Sequence, residues 1–203
     1  SEPAAPSSEL EAAPVAVEES SASGAAVVYT IDPAASEVRF ELDEVLRGSP
    51  VTVVGATDQV TGEIAIDLND LSTAQVGTIQ VNARGLTTDN NFRNRAINNE
   101  ILQTGEFEFI TFAPTAVNGL SGSAAVGDTV EFTLDGDLTI RDITQPVTFN
   151  VSATAVSDTR LEGTANAVVQ RADYGLTIPS VPSVADVEEE VELTIDFVAN
   201  ASK

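Results

Sequence analysis

The sequence predicts an all-β chain folded as an antiparallel β-barrel of about eight strands, with one short α-helix around residues 89–102. Three observations predict it. Apolar residues recur at every second position in segment after segment from Tyr29 onward. Each segment is bounded by Gly, Asn, Asp or Pro, the residues that turn a chain between strands. Only one stretch, Asp89 to Leu102, abandons the period of two.

Residues 1–28 contain Ala, Ser, Pro and Glu in abundance and neither an aromatic nor a basic residue. Such a segment has too little apolar surface to offset its ordering entropy, so it reads as a disordered tether ahead of a barrel domain at 29–203. The first amphipathic segment sets Val38, Phe40 and Leu42 against Glu37, Arg39, Glu41 and Asp43. Ile64, Ile66 and Leu68 repeat the pattern, as do Ile79, Val81 and Ala83. In 89–102 the spacing of Phe92, Ala96, Ile97, Ile101 and Leu102 is three, four or five, which predicts a helix capped by Thr88 or Asp89. The longest run places Val130, Phe132, Leu134, Gly136, Leu138 and Ile140 on one face. Val147, Phe149, Val151, Ala153 and Ala155 follow Pro146 as its hairpin partner, and Val191, Leu193, Ile195 and Phe197 close the chain. A closed barrel buries one face of every such strand and leaves no open edge. A two-sheet sandwich is the alternative, because periodicity alone does not separate the two.

Composition narrows the chemistry. In 203 residues there is no Cys, His, Met or Trp. Ser-His-Asp and Cys-His catalysis and ordinary zinc sites are therefore excluded, and no cofactor is required. The closely spaced acids Asp67, Asp70, Asp135 and Asp137 do not match an EF-hand loop and read as solvated turn and strand-face residues. The 32 acidic against 9 basic residues give a net charge of −23, which makes nucleic acid an unfavourable partner and favours solubility. No run approaches a transmembrane segment, and the missing initiator Met suggests a mature form whose targeting segment has been removed.

Several strings resemble those of the YceI-like family. They are Tyr29-Thr30-Ile31-Asp32-Pro33 with Ser36, Val38 and Phe40; Thr88 through Arg93 with Ile97, Ile101, Leu102 and Ile110-Thr111-Phe112; Gly136-Asp137-Leu138-Thr139-Ile140 with Thr144, Pro146 and Val147; and Arg171, Asp173, Tyr174, Gly175 and Leu176, then Val187 through Ile195, as the last two strands. The chain departs from the family pattern at Asn94, around Ala96, at Phe107-Glu108 and at Asp142. The resemblance implies an exported, lipocalin-like barrel that binds a polyisoprenoid lipid. By that resemblance the protein is periplasmic or extracellular, with a lipid anchor on a removed N-terminal segment and homodimerisation among the family's expectations.

A binding reading has a physical basis of its own. Small inward residues (Ala83, Gly136, Ala153, Ala155) leave room inside, so the interior is expected to accept a slender apolar chain such as a quinone or polyprenyl tail. The expected contacts are Phe40, Leu42, Phe92, Ile97, Phe112, Phe132, Leu134, Leu138, Ile140, Phe149, Val151 and Tyr174. Arg93 and Arg171 are the headgroup candidates, or else ion-pair partners, Arg93 of a carboxylate such as Glu100 and Arg171 of Asp173. The Asn-rich helix reads either as a flap over the channel or as a simply solvated segment. The competing function is a filled barrel that works as a protein-interaction or stress-related scaffold through its acidic outer face.

Overall fold

In the computed structural model, which describes residues 25–202, alternation becomes a ladder almost without interruption. The tether expected at 1–28 lies outside the described residues up to position 24. Its last two residues are strand, because Val27 and Val28 pair with Ile66 and Ala65. The chain starts with β1 (Val27–Ile31), a 3₁₀ turn (Pro33–Ala35) and β2 (Glu37–Leu46). Next come β3 (Ser49–Thr57), β4 (Val60–Thr61), β5 (Glu63–Asp67), β6 (Asp70–Val76) and β7 (Ile79–Asn82). Helix α1 (Asn91–Ala96) and a π-helical turn (Ile97–Ile101) separate these from β8 (Phe109–Asn118), β9 (Thr129–Ile140) and β10 (Ile143–Ser157). β11 (Arg160–Gln170), the short β12 (Val184–Ala185) and β13 (Glu190–Ala201) complete it.

All thirteen strands belong to one antiparallel sheet, curled so strongly that it forms a half-barrel. The strand count exceeds the eight expected because long strands break at corners. β13 shows how. One of its edges pairs with β11 along its whole length, while the other pairs with β2 through Glu192–Asp196 and with β1 through Ala199–Ala201. The chain between β1 and β2 must therefore kink, and two side chains fix the kink. Asp32 accepts a bond from the Ala34 amide, and Ser36 Oγ accepts from the Val198 amide at 2.9 Å. The run β3–β4–β5 bends likewise, pairing in turn with β2, β7 and β1.

The hairpin of β9 and β10 expected from the sequence forms, with Val147 opposite Gly136 and Phe149 opposite Leu134. Its two-residue turn holds Arg141 in the left-handed region at φ 58°, where Gly or Asn is more usual. Arg171 to Tyr174, read from the sequence as part of a strand, is instead a 3₁₀ turn, and the last strand starts at Glu190 and not at Val187. The segment between them leaves the sheet, apart from a two-residue bridge to β2, and runs across one end of it. A single apolar cluster lines the concave side and includes Tyr29, Leu71, Ile97, Ile101 and Leu102.

The helix cap also differs from the expectation. Asn90, not Thr88 or Asp89, receives the free amides of Phe92 and Arg93 at 2.9 and 3.2 Å, because its side chain sits at the correct offset from the first turn. The π turn, closed by the Leu102 amide on the Ile97 carbonyl at 2.8 Å, brings Ile97, Ile101 and Leu102 into the core together.

A candidate binding chamber under the helix

The concave face encloses three apolar spaces in line. The largest is a chamber of about 600 Å³ beneath α1 and the π turn. Its walls are the inward row of β2 (Phe40, Leu42, Leu46), the helix residues Ala96 and Ile97, Ile140, and Val191 with Leu193 of β13. Leu176, Ile178, Pro179 and Val187 of the segment that leaves the sheet cover its outer side. A waist of about 80 Å³ follows, and beyond it a second space of about 80 Å³ among Phe132, Leu134, Val151 and Phe197.

Every residue expected to contact a ligand lines one of these spaces. Phe40, Leu42, Ile97, Ile140 and Tyr174 line the chamber, Leu138 the waist, and Phe132, Leu134 and Val151 the far space, with Phe112 and Phe149 shared by waist and far space. Phe92 stands apart. It lies at the mouth and is 80% exposed, with the Arg95 guanidinium 5.9 Å from its ring centre. The room expected beside Gly136 is taken. A Cβ there would fall 2.5 Å from Phe112 Cζ and 2.6 Å from the Ala113 carbonyl oxygen, so the glycine makes space for an aromatic ring and not for a ligand. Ala83, though fully buried, borders none of the three spaces, whereas Ala153 and Ala155 line the far one.

Both arginines reach the chamber wall, and both are engaged. Arg93 binds Glu44 at 2.9 Å and Asp89 at 2.6 Å, and not Glu100 as the sequence suggested, because β2 carries Glu44 directly beneath the helix. Arg171 donates to the carbonyls of Glu188, Leu176 and Val187 at 2.7, 3.3 and 3.1 Å and to the Glu189 carboxylate at 2.9 Å. Its ion partner is thus Glu189, not Asp173, and the guanidinium staples the covering segment to the barrel end. Tyr174, 1% exposed, lines the chamber, and its hydroxyl has no hydrogen-bond partner among the described residues. Burial, and then the charge of Asp173, push its pKa up to about 12, so the phenol is neutral throughout the physiological range.

Glu44 was missed by sequence reasoning, although a signal existed. It occupies the inward register of Val38, Phe40, Leu42 and Leu46, the one acid in an apolar row, and it is buried. The covering residues Ile178 to Val187 were also missed, having no periodicity to mark them. Of the helix asparagines, Asn94 accepts from the Thr88 amide and hydroxyl, both at 2.7 Å, and Asn98 donates to the Asn94 carbonyl at 3.0 Å. The departure from the family pattern at Asn94 is therefore a structural tie and not a ligand contact. Among the described residues no cluster of three or more acids could hold a metal ion, and no helix is long and apolar enough to cross a membrane.

The architecture is thus a curled antiparallel half-barrel with an apolar chamber under a short helix. The YceI-like domain model matches residues 29–199, and the chain belongs to that family. It is 28% identical over 155 residues to a UPF0312 protein of Staphylococcus aureus strain MSSA476, covering 73% of this chain and 81% of the relative. Among solved structures it is similar to a polyisoprenoid-binding domain from Saccharophagus degradans, with TM-score 0.69 and 15% identity over 87% of this chain and 99% of that one. It is also similar to Burkholderia cenocepacia BcnA, with TM-score 0.64 and 17% identity over 84% and 99% of the two chains.

Proposed function

We propose that the protein binds a long apolar isoprenoid lipid, a quinone or a polyprenyl chain, and carries or sequesters it without chemical change. The observation that carries this reading is the apolar chamber of about 600 Å³, well inside the range of roughly 300–1,000 Å³ typical of small-molecule sites. Each CH₂ moved from water into such a space contributes about 0.8 kcal/mol, so a tail needs no polar contact to be held. The Saccharophagus degradans domain of the same fold, a polyisoprenoid binder, supports the ligand class.

The chamber favours a neutral headgroup over a phosphate. Arg93 is balanced by Glu44 and Asp89, and Arg171 by Glu189 and three carbonyls, so of the three arginines on the lining only the exposed Arg47 has no ion partner among the described residues, while the chain as a whole is strongly acidic. A quinone meets that condition better than a prenyl diphosphate does. Export from the cytoplasm belongs to the same proposal and rests on the family pattern. The scaffold alternative requires a solid interior, and the chamber argues against it.

The test is organic extraction of the native protein followed by mass spectrometry, beside an Ala96→Trp variant that fills the chamber. A hydrophobic molecule should leave the wild type and be depleted from the variant. A wild-type protein that repeatedly yields nothing, and takes up no prenol when one is offered, overturns the proposal.

A further inference from the structure

The three interior spaces are not one hole. The chamber and the far space have no lining residue in common. The waist meets the chamber at Phe40, Leu86, Ile110, Ile140 and Leu193, and meets the far space at Ile79, Phe112, Phe149 and Ile195. Two of those last four are aromatic rings, and they touch. Phe112 and Phe149 lie edge to face with centroids 4.9 Å apart and an interplanar angle of 73°, and both are almost fully buried.

This contact is built by the backbone. Phe112 belongs to β8 and Phe149 to β10, strands that do not pair with each other, because β9 runs between them. Opposite them in the register stand Leu138 and Leu134, and midway between these on the same face is Gly136, with no side chain. The Phe112 ring lies over that gap, where a Cβ would collide with it, and so reaches the Phe149 ring across the intervening strand. Gly136 thus places an aromatic bar across the channel.

We infer that the Phe112–Phe149 pair is the floor of the binding site and sets the length of tail the protein accepts. The inference rests on the lipid-binding reading above. A cavity of about 150 Å³ holds benzene, with six carbons, so a chamber of about 600 Å³ has room for roughly 24 carbons, or about four to five isoprene units. The waist and the far space, about 80 Å³ each, are smaller than a benzene site and add little unless the rings part. A tail longer than the chamber must leave its remainder in water at the mouth, where added carbons contribute no binding.

The experiment measures displacement of 1-N-phenylnaphthylamine by all-trans prenols of 15, 20 and 45 carbons, namely farnesol, geranylgeraniol and solanesol. For the wild type, affinity should rise at least tenfold from farnesol to geranylgeraniol, since each buried CH₂ is worth about fourfold, and should then stay within about threefold for solanesol. Phe149→Ala joins waist and far space, so solanesol should bind at least tenfold more tightly than geranylgeraniol. Phe149→Leu, which keeps most of the core volume, should move the preference partway and serves if the alanine variant melts without cooperativity. Affinity that keeps climbing to solanesol in the wild type, or a length profile unchanged in folded variants, overturns the floor alone. A wild type that binds none of the three prenols overturns the lipid reading as well.

Discussion

Replacing Arg93 by Met should cost about 3 kcal/mol of stability, and replacing Glu44 by Leu at the same time should restore most of it. The two side chains meet at 2.9 Å with only 16% and 8% of their surfaces exposed, so removing the arginine leaves a carboxylate facing the apolar wall of the chamber. Breaking a buried pair from one side costs about 3–5 kcal/mol, whereas exchanging both members for apolar groups of similar volume is often close to neutral. The lower end of that range applies here because the pair borders an open chamber. The second contact, to Asp89, involves a carboxylate that is 85% exposed and adds little. Urea denaturation followed by far-ultraviolet circular dichroism reads the effect. With a slope of about 2 kcal/mol per molar, the single variant should lose roughly 1.5 M from its midpoint and the double variant under about 0.5 M. The same pair of proteins separates the two roles proposed for Arg93. A wall residue predicts that the double variant retains prenol binding, and a headgroup contact predicts its loss. A single variant with an unchanged midpoint, or a double variant as damaged as the sum of its singles, refutes the reasoning.

Two further outcomes follow from the packing and from pH. Gly136→Ala should lower stability by about 1–3 kcal/mol, read as a fall in melting temperature, because the added methyl meets the Ala113 carbonyl oxygen at 2.6 Å and backbone gives way less readily than a side chain. Tyr174 is raised to about 12 from an ordinary 10.0, so the folded state holds its proton over a range in which the unfolded chain releases it. The stability tied to that neutral phenol is complete below pH 10 and is lost between about pH 10 and 12, by roughly 1–2 kcal/mol. Melting curves of Tyr174→Phe should therefore fall less steeply than wild type across that window, and parallel curves would show that the buried phenol is not the cause.

The strand faces could be read from the sequence because alternation is enforced at every residue. Phe132, Leu134, Leu138 and Ile140 had to share a side, and one slip of register would have exposed all of them. What closes the chamber obeys no such rule. Ile178, Pro179 and Val187 reach it from a segment without periodicity, held down by Arg171 on three backbone carbonyls, and no repeat in sequence announces a bond to a carbonyl. Which partner an arginine takes was equally hidden. Glu100 and Asp173 were the partners the sequence suggested, but Arg93 took Glu44 beside its helix neighbour Asp89, and Arg171 took Glu189, with Glu44 and Glu189 brought close by β2 beneath the helix and by the fold of the covering segment.

Room inside the barrel was also anticipated, and Ala153 and Ala155 do line the far space, but the largest room does not lie beside Gly136 or Ala83, and the reason is geometric. Small residues in a strand interior do not create a hollow by themselves, because neighbouring rings close over them, as Phe112 does over Gly136. Space persists where the sheet and its cover cannot approach. Under the helix, Glu44, Arg93 and Arg171, already engaged with one another or with the covering segment, line that space together with Ile97, Ile101 and Leu102. At the other end Phe132, Leu134, Val151 and Phe197 converge on about 80 Å³. The chamber is therefore a property of how a polar, capped helix sits on a curled sheet, and its residues had to be found from both elements together.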